Sequence, residues 1–443
     1  MKPSVLCLRC LIGLAALGLF VGIARLFNYG FLVTPLTGFW TLGAAALLLL
    51  VAIDRILGVK HSALTCVREC PLSLALGVNQ TLVFKITNEG QTPLSLLVSE
   101  MAPQELNIQG FPLTLELAPR EIRAIRYAIR PEQRGDMAID GTQIFVKSRL
   151  GFWHFQQHYP VVSRLKVFPN FMAVSHLALL MQGGKSQQLG IHVMQRRGQG
   201  TGFHQLRDFR DSDSWRQVDW NATAKVGKLI SREFHDEKDQ QVIFLLDCGR
   251  RMRAKDHALS HFDHALNALL LTAFVALRQG DAVGYHTFAG EKQGMKPAKG
   301  RTAMNTLINQ LYGVQSSIAT ADFIQAAEVI VTARYRRSLI VLVTNVREDD
   351  EEDLIAAVRL LSRRHIVLMA TLREAVLDEV VQRPIGNVDD ALTYAATVEH
   401  LSSRARVISR LAAEGIVLSD CLPAELPVAL VNQYLALKRS GRF

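Results

Sequence analysis

The stretch Gly198-Gln-Gly-Thr-Gly-Phe-His-Gln-Leu-Arg-Asp-Phe209, followed by Asp213-Ser-Trp-Arg-Gln-Val-Asp-Trp220 and then by Val242-Ile-Phe-Leu-Leu-Asp247, decides the fold. A short, wholly apolar run ending on one carboxylate is the pattern of a buried strand that delivers an acid to the rim of an open α/β sheet, where strand ends converge on a crevice. Downstream the pattern repeats. Apolar runs at 282–288, 339–344, 366–372 and 416–419 alternate with helical periodicity over 263–279, 302–312, 320–335, 350–363, 377–414 and 423–438. Continuous apolar strands joined by amphipathic helices predict a parallel, doubly wound sheet covered on both faces.

Upstream of the quoted stretch the period changes. Between Pro71 and Pro169, segments such as Leu82-Val-Phe-Lys-Ile-Thr87, Leu94–Val98, Ile122–Ile129, Ile139–Val146 and Trp153–Tyr159 are separated by turn residues, with no helical period between them. This spacing predicts an antiparallel β-sandwich over about 60–170. Arg120, Arg123, Arg126, Arg130 and Arg134 recur within it, and the apolar alternation around them reads as solvated strand positions rather than a basic helix face.

At the N-terminus, two apolar runs, Cys10–Ala24 and Phe31–Ile53, flank a short turn and predict a transmembrane helical hairpin over residues 1–56. Lys2 and Arg9 precede it and Arg55, Lys60 and Arg68 follow, against Arg25 alone in the turn, so both chain ends are expected in the cytoplasm. Gly13, Gly18, Gly22 and Ala24 offer small residues for helix contact. The net charge of +10 and pI near 9.4 fit anionic partners, with lipid favoured by the hairpin. The six cysteines read as reduced thiols, and Cys66 and Cys70 lack a second pair at zinc spacing.

Enzyme motifs are incomplete. Asp247-Cys-Gly-Arg-Arg-Met has one glycine and no Walker Lys-Ser/Thr, Gly198, Gly200 and Gly202 precede no strand-to-helix step of the nucleotide-binding kind, and no Gly-x-Ser-x-Gly elbow occurs. His257, His261 and His264 lack partners at metal-ligand offsets and read as a solvated helix start. Within the 198–232 block, Arg207, Arg210 and Arg216 lie among Asp208, Asp211, Asp213 and Asp219, a mixture able to satisfy itself, with Phe209, Trp215 and Trp220 as apolar anchors. An internal clamp is favoured over a docking surface, and the carboxylates argue against nucleic acid.

Taken together, the hairpin, the sandwich with its Asn88–Pro93 turn and Arg134-Gly135, the Gly280-Asp-Ala-Val-Gly284 step, and above all Gly198, Gly200, Phe203, Leu206, Arg207, Asp213, Arg216, Asp219, Trp220, Ala222 and Ala224 resemble the bacterial family called domain of unknown function 58 (DUF 58). Lys225 stands where that family usually has Arg, and Ser212 where it usually has Gly. The resemblance implies a von Willebrand factor type A-like domain over 185–443, whose relatives commonly hold Mg²⁺ with Asp-x-Ser-x-Ser, a later Thr and often another Asp. Asp247 matches the first acid, whereas Gly249 and Arg251 replace the serines and Thr344-Asn345 stands where Ser-Asp is expected. A degenerate site without a cofactor is therefore expected, with Arg250 and Arg251 neutralising Asp247. The resemblance further implies a MoxR-type AAA+ ATPase partner and a non-enzymatic role in assembling envelope or metalloprotein complexes. The alternative is a metal-dependent enzyme or transporter component in which Asp247 and a neighbouring acid, Asp281, bind the cation.

Overall fold

The computed structural model describes residues 2–27, 30–56, 64–170, 202–210, 213–235, 239–256 and 259–441, and the chain divides into two compact units, Met1–Val167 and Phe168–Phe443. Gly198 and Gly200 lie outside the described residues.

In the first unit, helices Val5–Leu26 and Gly30–Ile56 form the apolar pair. At 1.5 Å per residue the shorter is about 33 Å long, enough for a hydrocarbon core. Trp40 of the second helix donates its indole N–H to Leu14 O (2.9 Å) and rests on Gly18, where a Cβ would fall 3.0 Å from the indole nitrogen. Of the small residues expected to serve helix contact, Gly18 does so. A Cβ at Gly13 or Gly22 would meet nothing within 4 Å.

The sandwich strands alternate as their sequences require. Leu82, Phe84 and Ile86 are wholly buried on Gln80–Asn88, as are Val98 of Leu94–Met101 and Ile144 and Val146 of Gly141–Lys147. The sheets run, in strand order, 64–69, 80–88, 122–131, 106–109 and 2–3, 153–159, 141–147, 94–101, 113–117, with a third small sheet of 73–75, 163–168 and 135–139. Arg68 reaches from the first sheet to Glu100 and to Thr142 Oγ1 (2.9 Å) on the second, so a buried cation is matched by a buried acid. Asn88 is also buried. It donates to Thr92 O (2.9 Å) and Ala118 O (3.0 Å), which closes the turn that the sequence marks with Pro93. Among the five arginines read as solvated, Arg123 and Arg126 are exposed on Ile122–Pro131, but Arg134 is buried.

The base of the helix pair is bonded to the turn between Gly141–Lys147 and Trp153–Tyr159. Asp54, wholly buried, accepts from Ser148 Oγ, Leu150 N (2.9 Å) and Phe152 N (3.0 Å), while Trp153 donates its indole N–H to Val51 O (3.0 Å). Ser4 caps the first helix and bonds through its amide to Phe152 O (2.8 Å), and Lys2-Pro3 pairs with Trp153 and His154.

In the second unit, the strands β1 (Gln241–Asp247), β2 (Ala282–Phe288), β3 (Gly294–Ala298), β4 (Leu339–Thr344), β5 (Ile366–Leu372) and β6 (Val417–Cys421) form one sheet in the order β3-β2-β1-β4-β5-β6. All neighbours are parallel except β3, which runs antiparallel to β2 and corrects the expectation of a purely parallel sheet. Lys296 and Pro297 break the apolar run, which is why this edge strand reads as a loop in sequence. Val242, Phe244 and Leu246 face a core with helices His261–Arg278, Gly300–Leu311 and Leu426–Arg439. Ile243 and Leu245 face the opposite core with Phe323–Thr332, Glu351–Ser362 and the end of Val388–Ala413. The sheet is therefore doubly wound.

Asp281 immediately precedes β2, at the end of the sheet opposite Asp247. With Gln241 paired to Ala282 and Asp247 to Phe288, the two carboxylates stand about 20 Å apart and cannot share a cation. Asp281 instead accepts from Tyr434 Oη and pairs with Lys438 Nζ (2.6 Å), fastening the last helix to the sheet. Replacing Asp281 by Ala leaves that buried ammonium and hydroxyl without their acceptor and should cost about 3 kcal/mol. Thermal melting of the purified protein checks it, and an unchanged midpoint would refute the fastening role.

Candidate functional site

The carboxyl ends of β1, β4 and β5 converge at Asp247, Thr344-Asn345 and Leu372–Glu374. Asp247 is 1% exposed. One oxygen accepts from Gly249 N (2.7 Å) and the other from Thr344 Oγ1 (2.7 Å). Burial raises its pKa above the usual carboxylate range, against the opposing effect of these two hydrogen bonds and of the nearby Arg251 charge.

Arg251 does not pair with Asp247, as the sequence reading expects. Its guanidinium turns to the buried Asp350, Nη2 to Oδ1 at 2.8 Å. Asp350 sits at the start of Glu351–Ser362 but makes no side-chain cap bond to it, so its charge serves the arginine. Gly249 is held to glycine by space. A Cβ there would fall 2.9 Å from both Ala319 O and Asp247 Oδ1.

This donor set does not fit the Mg²⁺ that the resemblance brings to mind. A magnesium ion requires near-octahedral oxygen ligands, whereas Asp247 and Thr344 bond to each other, Gly249 presents an N–H, and a guanidinium lies alongside. Among the described residues, no group of three His, Cys, Asp or Glu side chains gathers at metal-binding distance.

Next to Asp247, Asn345 donates to Glu374 Oε1 (2.8 Å) and accepts from Arg404 Nη1 (3.1 Å). Arg404, 2% exposed, also donates to Val346 O, Thr371 Oγ1 (2.8 Å), Leu372 O (2.9 Å) and Asp420 Oδ1 (2.7 Å), joining the ends of β4, β5 and β6 to the helix Val388–Ala413. Sequence reasoning missed it, although Arg404, Val407 and Leu411 share the three- and four-residue spacing of one buried face. His261 corrects a second expectation. It is wholly buried rather than solvated, and burial lowers its pKa.

The segment from Gly202 to His235 forms a two-stranded hairpin, 202–208 with 230–235, in which Phe203 pairs with Phe234. Between the strands lie the short turn Trp215–Gln217 and helix Trp220–Val226. Arg207 grips Asp213 with both terminal nitrogens (2.7 and 2.8 Å), and Asp213 also accepts from Arg210 N (3.0 Å). The Arg207 bonds hold the Asp213 carboxyl below its usual range. Asp219 caps the helix through Ala222 N (3.0 Å) and pairs with Arg232 Nε (2.9 Å). Arg216 is exposed and makes no ion pair among the described residues. Of the charges grouped in the sequence reading, Arg207 and Asp213 pair, Asp219 pairs with Arg232 from outside that group, and Asp211 lies outside the described residues. The tryptophans are not buried: Trp215 is 65% exposed with its ring 5.3 Å from that of Phe209, and Trp220 is 61% exposed.

Because folding raises the pKa of Asp247, its charge opposes folding as pH rises through the folded-state value, and the opposition vanishes in acid. Asp247→Asn should therefore melt at or above the native temperature at pH 7, with the difference shrinking as pH falls through the carboxylate range. Melting curves across pH check this. A marked destabilisation at neutral pH would count against it.

A comparison with curated proteins gives no match. Among solved structures, the chain is similar to an aerotolerance-related membrane protein from Bacteroides fragilis (16% identity, 44% of this chain and 98% of that one, TM-score 0.28) and to a FixG-related protein from Vibrio parahaemolyticus (14%, 25% and 98%, TM-score 0.18). It is also similar to Escherichia coli alpha-2-macroglobulin (20%, TM-score 0.19), where 24% of this chain spans 9% of that one. Likenesses at these scores carry no functional argument. Residues 205–408, which hold the clamp, Asp247 and Arg404, match the family described as Protein of unknown function DUF58.

Proposed function

We propose that this protein is a membrane-anchored, non-enzymatic assembly factor. Its doubly wound unit is a von Willebrand factor type A-like domain, and its partner is an AAA+ ATPase of the MoxR kind, with which it matures envelope or metalloprotein complexes. The helix pair anchors it in the inner membrane, with both ends cytoplasmic by the balance of Lys2, Arg9 and Arg55 against Arg25.

One observation carries the docking role: two tryptophans stand exposed on a segment that the Arg207–Asp213 and Arg232–Asp219 ion pairs hold together. Buried tryptophan anchors dominate protein interfaces, and a platform fixed by ion pairs loses little freedom when it binds. The occupied carboxylate at Asp247 supports a binding role over a metal-dependent one, and the distance to Asp281 removes the second acid that the alternative required.

Trp215→Ala and Trp220→Ala should each weaken the ATPase complex by about 2 kcal/mol, roughly 30-fold in Kd, without altering membrane retention or melting. Co-purification from detergent after mild crosslinking, followed by titration with the recovered ATPase, reads the effect. Native yield of the ATPase with the double variant would sink the docking surface.

A further inference from the structure

We infer that the Ser148–Trp153 turn of the sandwich lies in the headgroup layer of the membrane and contacts anionic phospholipid, so that the sandwich is seated on the bilayer rather than tethered above it. This rests on the reading that the helix pair spans the bilayer.

The turn has no freedom to leave the helix base. Asp54 accepts from two of its amides and one of its hydroxyls, Ser4 bonds to it from the start of the first helix, and the Trp153 indole is hydrogen-bonded to Val51 O. Val51 lies five residues before the end of the helix at Ile56, about 7.5 Å along its axis. The indole is therefore held at the depth where tryptophan is enriched in membrane proteins, with its polar edge bonded and its ring against the last turns of a span.

Charge and apolar exposure agree with that depth. Lys147 and Arg149 are exposed at the turn, and Lys2, Arg9 and Arg55 are exposed at the helix base. Asp54 is the single acid among residues 2–27, 30–56 and 147–154, and its carboxylate is covered by its three donors, so these segments themselves carry no exposed negative charge. Leu150, at the tip of the turn, is 44% exposed. An exposed leucine between cations that reach outward on long aliphatic stems matches the acyl–headgroup boundary of an anionic leaflet.

The test uses the full-length protein in phospholipid vesicles. The chain has four tryptophans, so Trp40→Phe, Trp215→Phe and Trp220→Phe together leave Trp153 as the reporter, and the matching set leaves Trp40. Fluorescence is quenched with lipids brominated near the headgroup or near the bilayer centre. Trp153 should be quenched most by the shallow label and Trp40 by the deep one. Shallow quenching of Trp153 should rise when phosphatidylglycerol replaces neutral lipid, and Lys147→Glu with Arg149→Glu should abolish that rise. Trp40 quenched with Trp153 unquenched overturns this inference while the spanning reading stands; neither quenched overturns the spanning reading itself. Quenching of Trp153 that is indifferent to anionic lipid overturns the headgroup contact. Where Trp40→Phe prevents folding, Trp153→Phe in the otherwise native chain gives the same reading by difference.

Discussion

Everything at the rim of the second unit follows from the way one buried carboxylate is satisfied. Asp247 is brought to the carboxyl end of a central strand, where charge is costly, and it is answered by a backbone N–H and a threonine hydroxyl. With those positions filled, Arg251 is free to pair with Asp350, and Asn345 is free to bridge Glu374 and Arg404. A cation centre gathers ligands around one ion. This rim joins its groups through several hydrogen bonds that link the ends of neighbouring strands.

Much of the fold was legible because apolar strands of the doubly wound unit have no other good interpretation. The runs ending at Asp247, Phe288, Thr344 and Leu372 are buried on both faces, and the alternating strands of the sandwich show their period directly. Gly294–Ala298 was hidden because an edge strand with lysine and proline lacks a burial pattern. Lys2-Pro3 was hidden because two residues are too few to carry any period.

The site was harder to read, since which charges meet is a tertiary fact. Sequence placed Arg207 beside Asp213 in a self-satisfying mixture, and proximity along the chain made that reading sound. It could not separate the fate of the charges from that of the aromatics, because both alternate through the same twenty residues. Arg251 with Asp350 and Arg404 with Asp420 join elements distant in sequence, so local spacing was silent about them. His261 looked solvated because a polar helix start usually is, and only the packing of the core over that first turn buries it.

The helix Val388–Ala413 has a further consequence. Its buried residues, Thr397, Ser403, Arg404, Val407 and Leu411, all lie beyond its first two turns, while Val388 and Leu392 stand 75% and 64% exposed. The helix is thus rooted in the domain through its second half, and it also packs on the short helix Ala375–Gln382. Near that root one guanidinium bonds the tips of three strands, so the helix and the sheet rim share a single joint.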